Sequence, residues 1–210
     1  MSALGLTTRE YKLLKKLNTP QKIQNFLDTV PINFEKLGET HRSPREALRT
    51  NKAHCIEGAL IAATALWLNG EEPLIIDLQS ARGDDDHVIA VYKVGGYWGA
   101  ISKSNHATVR YRDPVYKTLR ELALSYFHEW FPEATGRRTL RSYSAPLNMK
   151  RFGEEWVTSA KDLWWLDREL NKQKHFPIAP IKNLRAARRA DVMEVKAGSL
   201  TEWRASNPRT

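Results

Sequence analysis

The chain has 210 residues, 41% of them apolar and 10% aromatic, enough for one domain with a substantial core or at most two small ones. It holds a single cysteine, which excludes an internal disulfide and a thiolate metal cluster. The net charge of +9 would suit nucleic acid or an acidic partner. However, the basic residues lie in scattered groups (Lys12, Lys15, Lys16; Arg137, Arg138, Arg141; Arg185, Arg188, Arg189) without a nucleic-acid motif, so solvated surface is the favoured reading.

The stretch Met1 to Lys16 alternates charge and leucine and lacks the apolar centre of a signal peptide. No run approaches the ~20 apolar residues of a membrane span, so the expectation is a cytoplasmic protein with no membrane partner. Thr7 or Thr8 caps a first helix to about Leu17, and Thr19-Pro20 opens a second over about Gln21 to Asp28, with Ile23, Phe26 and Leu27 at helical spacing. Ser43-Pro44 starts a short helix to about Thr50. From about His54 to Leu68 the residues are so uniformly apolar, and so rich in alanine, that the helix they form must be surrounded by protein. Asn69-Gly70 ends it.

Leu74 to Leu78 is rich in β-formers. His87 to Tyr92 reads as a buried strand, Gly95-Gly96 as a tight turn and Tyr97 to Ser102 as the returning strand. Thr108 to Tyr111 is a further strand candidate. Asp113-Pro114 reads as the cap of a helix reaching about Trp130, and Leu140 to Ala145 as extended. Ser159 and Asp162 suggest the start of a helix through Leu163, Leu166 and Leu170. His175 to Pro180 is extended, a basic helix is expected from about Asn183 to Lys196, and the tail from Gly198 is expected to fray. Helices before and after an antiparallel sheet give an α+β fold, with a core over about 20–130 and a C-terminal helical extension over 131–210.

Cys55 stands at the mouth of the apolar helix, where the helix dipole favours a thiolate. His87, at the head of a strand, supplies an imidazole that can hold that anion and move its proton. With Gly95-Gly96 at the centre of the turn, position 87 faces position 104, so Ser102 and Ser104 share the side of His87. A slip of one residue would bring Asn105 there instead. Ser102 and Asn105 are thus the candidates for orienting the imidazole. The Cys55 N–H would serve an oxyanion, with Asn51 or the Trp98 indole as candidate second donors. His54, beside the cysteine, is read as lying on another helix face and bonding locally. The six histidines show no metal-ligand spacing, and the pattern requires no cofactor.

The segments Ala53 to Leu60, Asp86-His87-Val88 and Tyr97 to Ser102 together resemble the transglutaminase-like branch of the papain-like cysteine enzymes. The stretch Trp98 to His106, with Arg112-Asp113-Pro114-Val115-Tyr116, is also similar to a group of bacterial transglutaminase-like proteins. The resemblance implies a papain/transglutaminase-like fold, in which a central Cys-bearing helix packs on an antiparallel sheet, and a Cys-His acyl-transfer apparatus. It departs at Ser102, where the family carries Asp or Asn. The reading is a cysteine peptidase, amidase or transamidase acting on a peptide or other amide substrate. Its rivals are an inactive fold of the same kind that binds a protein partner and, more remotely, a basic nucleic-acid-associated protein. Oligomeric state is left open.

Overall fold

The computed structural model describes residues 3–204. In chain order the elements are α1 (Thr8–Lys16), α2 (Pro20–Thr29), α3 (Pro44–Thr50), α4 (Cys55–Leu68), β1 (Leu74–Ser80), β2 (His87–Val94), β3 (Tyr97–Ile101), β4 (Arg112–Tyr116), α5 (Leu119–Leu124), β5 (Leu140–Ser144), β6 (Leu147–Asn148), α6 (Glu155–Thr158), α7 (Trp165–Asn171), β7 (His175–Pro177), α8 (Ile181–Ala186) and α9 (Val192–Gly198). The class is α+β. Seven strands form one antiparallel sheet in the order β4-β3-β2-β1-β5-β7, with β6 also paired to β1. Among the described residues no helix is long and apolar enough to cross a membrane.

Both faces of the sheet are covered. Ile75, Val88, Ala90, Tyr92 and Ile101 pack with α4, whose Leu60, Ile61, Ala62 and Ala63 are fully buried. Ile76, Leu78, Ile89, Val91 and Ala100 pack instead with Leu122, Ala123, Tyr126 and Trp130. A strand buried on both sides reads as a continuous apolar run, which is why β2 shows no polar alternation. Gly95 and Gly96 both have positive φ, 57° and 85°, as the tight turn requires. The resulting pairs run from Val94↔Tyr97 to Ala90↔Ile101, the register expected from that turn.

Several expectations are corrected. Thr108 to Tyr111 is not a strand, and Asp113-Pro114 does not cap a helix: both residues lie in β4, an edge strand where proline's missing N–H is tolerated. The following helix begins later, with Thr118 as its cap. The stretch expected as a helical extension supplies β5, β6 and β7 to the sheet as well as helices. The single basic helix expected from Asn183 to Lys196 is split into α8 and α9, because Asp191 and Glu194 form a capping box that starts α9 afresh. Residues 199–204 are tied down: Ala107 N–H donates to Leu200 O at 2.9 Å, and Glu202 N–H to Asn105 O at 2.9 Å. The rest of the tail lies outside the described residues.

Candidate active site

Cys55 is the first residue of α4, and its N–H has no intrahelical acceptor. His54 is the N-cap, with extended backbone at φ −101° and ψ −168°. Its Nε2 lies 2.7 Å from the carbonyl oxygen of Thr40, which can only accept, so Nε2 carries a proton. Nδ1 then faces the Cys55 sulfur at 3.9 Å.

The cap is held from below by Glu57, which is fully buried. Its carboxylate accepts from the N–H of His54 at 3.1 Å and of Arg42 at 3.2 Å, from the Thr40 hydroxyl at 2.9 Å and from the Asn33 amide at 3.2 Å. Such a set of donors is what makes a buried carboxylate tolerable.

The second imidazole comes from the strand side. His87 Nε2 lies 2.8 Å from the Ser102 hydroxyl, whose Oγ is also 2.6 Å from the carbonyl oxygen of Val109. A hydroxyl has one proton, and the carbonyl can only accept it. Ser102 therefore donates to Val109 and accepts from His87, which leaves His87 Nδ1 for the thiol.

Val109 has φ +57°, a left-handed conformation that costs a β-branched residue of order 1–3 kcal/mol. Its N–H donates to Glu129 Oε2 at 2.9 Å while its carbonyl meets Ser102, so the strained residue is fastened on both sides. The Ser102 backbone is clamped as well. Its N–H donates to Gln24 Oε1 at 3.0 Å, and Gln24 Nε2 donates to its carbonyl at 2.9 Å.

A close approach brings these walls together. Gly58 lies in the first turn of α4, and a Cβ there would stand 2.4 Å from Lys103 Cβ. Lys103 is 1% exposed and donates through Nζ to the carbonyls of Leu27 at 2.9 Å and Val30 at 2.5 Å, while burial pushes its pKa down. Glycine at 58 lets the chain after β3 lie directly on the helix that carries the thiol.

Burial is the largest single influence on Cys55 and opposes the thiolate. The bond from the His54 ring at 3.9 Å, together with the effect of the His87 ring and the charge of both, outweighs it, and the thiol lies well below its ordinary value. Burial likewise pulls His54 down. The bond to the Cys55 sulfur, with the charges of Cys55, Glu57 and Glu35, overcomes it and lifts the ring to about 9. Asp77 is pushed up to about 6 by burial and by the charge of Asp86, against the His175 ring 3.3 Å away.

Two cavities adjoin the pair. One, of about 270 Å³, is bordered by Cys55, His41, His54, Asp77, Asp86 and Asp167. The other, of about 260 Å³, is bordered by His87, Asp84, Asp86, Trp130 and Glu133 among others. Asp86 belongs to both, and among the described residues neither is lined by lysine or arginine.

The remaining candidates are placed elsewhere. The Asn105 side chain both donates to the Trp203 carbonyl at 3.0 Å and accepts from its N–H at 2.9 Å, and makes no bond to His87 among the described residues. Asn51 ends α3 in a left-handed conformation and is exposed. Trp98 packs under Lys93 near the turn, about 20 Å along the strand from His87. Neither of these lines the two cavities. His54 is the residue that sequence reasoning set aside, although the side-by-side His54-Cys55 pair at a helix start was its visible signal. Compared with models of known protein families and with curated protein sequences, the chain matches none.

Proposed function

We propose that this chain is a cysteine-dependent acyl-transfer enzyme acting on an amide bond, built on a papain/transglutaminase-like arrangement of helix, sheet and cleft. One observation carries the reading. A thiol at the start of a buried helix is bracketed by two imidazoles, and each ring's outer nitrogen is already committed, to Thr40 and to Ser102. In this reading the Cys55 thiolate attacks the amide carbonyl, with the Cys55 N–H directed at the developing oxyanion. The C–N bond breaks as the His87 imidazolium gives its proton to the leaving amine, which leaves a thioester. Water or a second amine, deprotonated by His87, then attacks the thioester and returns the thiolate. Ser102 keeps His87 in the tautomer that this sequence of proton movements needs, but as a neutral hydroxyl it adds no charge to stabilise the imidazolium.

The test is the rate of iodoacetamide alkylation of Cys55 against pH. A free thiol gains reactivity only as pH rises toward ~8.5. A thiol with a lowered pKa is already the anion below that value, so the rate should reach its plateau well under pH 8, and His87→Ala should move the midpoint upward. Alkylation that follows a free thiol in both proteins would defeat the proposal and leave the protein-binding reading in its place.

A further inference from the structure

Two basic groups that are distant in sequence meet at a pocket that shares no lining residue with the two cavities beside Cys55 and His87. Arg137, Arg138 and Arg141 come from the loop before β5 and from that strand itself. Arg185 and Arg189 come from α8 and the turn after it. Together with Leu184 they line a pocket of about 270 Å³, and among the described residues no aspartate or glutamate lines it.

The meeting is built by main-chain bonds. Ala190 N–H donates to the Gly136 carbonyl at 2.8 Å, and Ile178 N–H to the Arg141 carbonyl at 2.8 Å. Gly136 has φ +60°, and a Cβ there would lie 3.0 Å from Ala190 O, so glycine is what lets the two segments touch.

Among the described residues, four of the pocket's five arginines lack counter-charges. Among the described residues, Arg137, Arg141, Arg185 and Arg189 have no carboxylate within ion-pair distance, whereas the neighbouring Arg188 pairs with both Asp191 and Glu194. Burial and the charge of Arg137 both push Arg141 below its ordinary value, as expected where like charges face one another. Arg138 forms the inner wall with a side chain only 3% exposed. Its terminal nitrogens are held by the His128 carbonyl and by Glu194, but its buried Nε–H has no acceptor among the described residues. A buried donor left without a partner is costly, so an oxyanion that reached it would relieve that cost along with the repulsion.

We infer that this pocket binds a compact phosphate-bearing anion about the size of pyrophosphate. Guanidinium groups match phosphate oxygens in pairs, several of them together favour more than one negative charge, and the enclosed volume suits a small anion rather than a nucleic-acid strand. The site stands apart from the thiol chemistry, so its test needs no enzymatic activity.

Calorimetric titration of the full chain with inorganic pyrophosphate, with ADP and with a single-stranded oligonucleotide would decide it. Saturable binding of pyrophosphate or ADP is expected, and the tighter of the two tells whether the phosphates come free or on a nucleoside. Arg141→Gln with Arg185→Gln should weaken that binding by about tenfold or more. Should that double variant fail to fold, Arg189→Gln, at an exposed position, should weaken binding in the same direction. The proposal is overturned if neither phosphate compound binds, if the variants bind them as well as the parent does, or if only the oligonucleotide binds and does so unaltered by the variants.

Discussion

His54 and His87 approach one sulfur from walls of different construction. The helix wall is local and dense: His54 caps its own helix, and a buried carboxylate three residues on gathers donors from Asn33, Thr40 and Arg42. The strand wall is assembled from distant parts. His87 rests on one hydroxyl from the neighbouring strand's extension, and that hydroxyl is aimed by a strained valine and a glutamine from α2. Both rings hold charge beside the thiol, but the helix wall is braced by a buried carboxylate and the strand wall by a neutral hydroxyl. The cleft between them is also lined by carboxylates in a chain of net charge +9, so the overall charge says little about what meets the thiol.

Substitutions can break this contrast in order of expected effect. His54→Gln removes the charge beside the thiol, and the alkylation midpoint of Cys55 should rise by about one to two pH units. The sign follows from the lifted imidazole: below about 9 the ring of His54 is protonated and holds the thiolate, and the substituted amide cannot. A midpoint that stays in place would show that His87 alone governs the thiol. Gly58→Ala should instead drive the two walls apart, costing about 1–3 kcal/mol in urea denaturation because the new Cβ collides with Lys103. It should slow alkylation as well, and intact reactivity would mean that the approach is not what aligns the groups.

Ser102→Ala and Asn105→Ala sharpen the comparison further. Loss of the serine should slow alkylation by about fivefold, equivalent to ~1 kcal/mol for one hydrogen bond. Loss of the asparagine should leave alkylation unchanged and cost about 1 kcal/mol of stability through its bonds to Trp203. The reverse ranking would return the orienting role to Asn105.

The parts legible in sequence were those set by local rules. The Gly95-Gly96 turn determined the register, and the register placed Ser102 beside His87. The uniform apolarity of α4 announced its burial. Asp113-Pro114 misled because the same pair can open a helix or sit in an edge strand, and only the neighbouring β3 decides between them. His54 was missed because a helical-face argument was applied to an N-cap, whose backbone is not helical and whose ring is free to turn toward the thiol. The Gln24 clamp and the Gly58–Lys103 contact join residues far apart in the chain, and no local pattern marks them.

The position of β1 also has a consequence for how the chain is made. One of its edges is covered at once by β2, the next strand in the chain, but the other waits for β5 and β6, from Leu140 onward. A chain stopped after residue 130 would carry α4, Cys55, His87 and Ser102, yet would present an open β-edge at the middle of its intended sheet. Exposed edges invite pairing with other copies, so such a fragment should aggregate rather than react. During synthesis, too, the thiol-bearing half stays incomplete until its last third arrives, a non-local closure of the kind that slows folding.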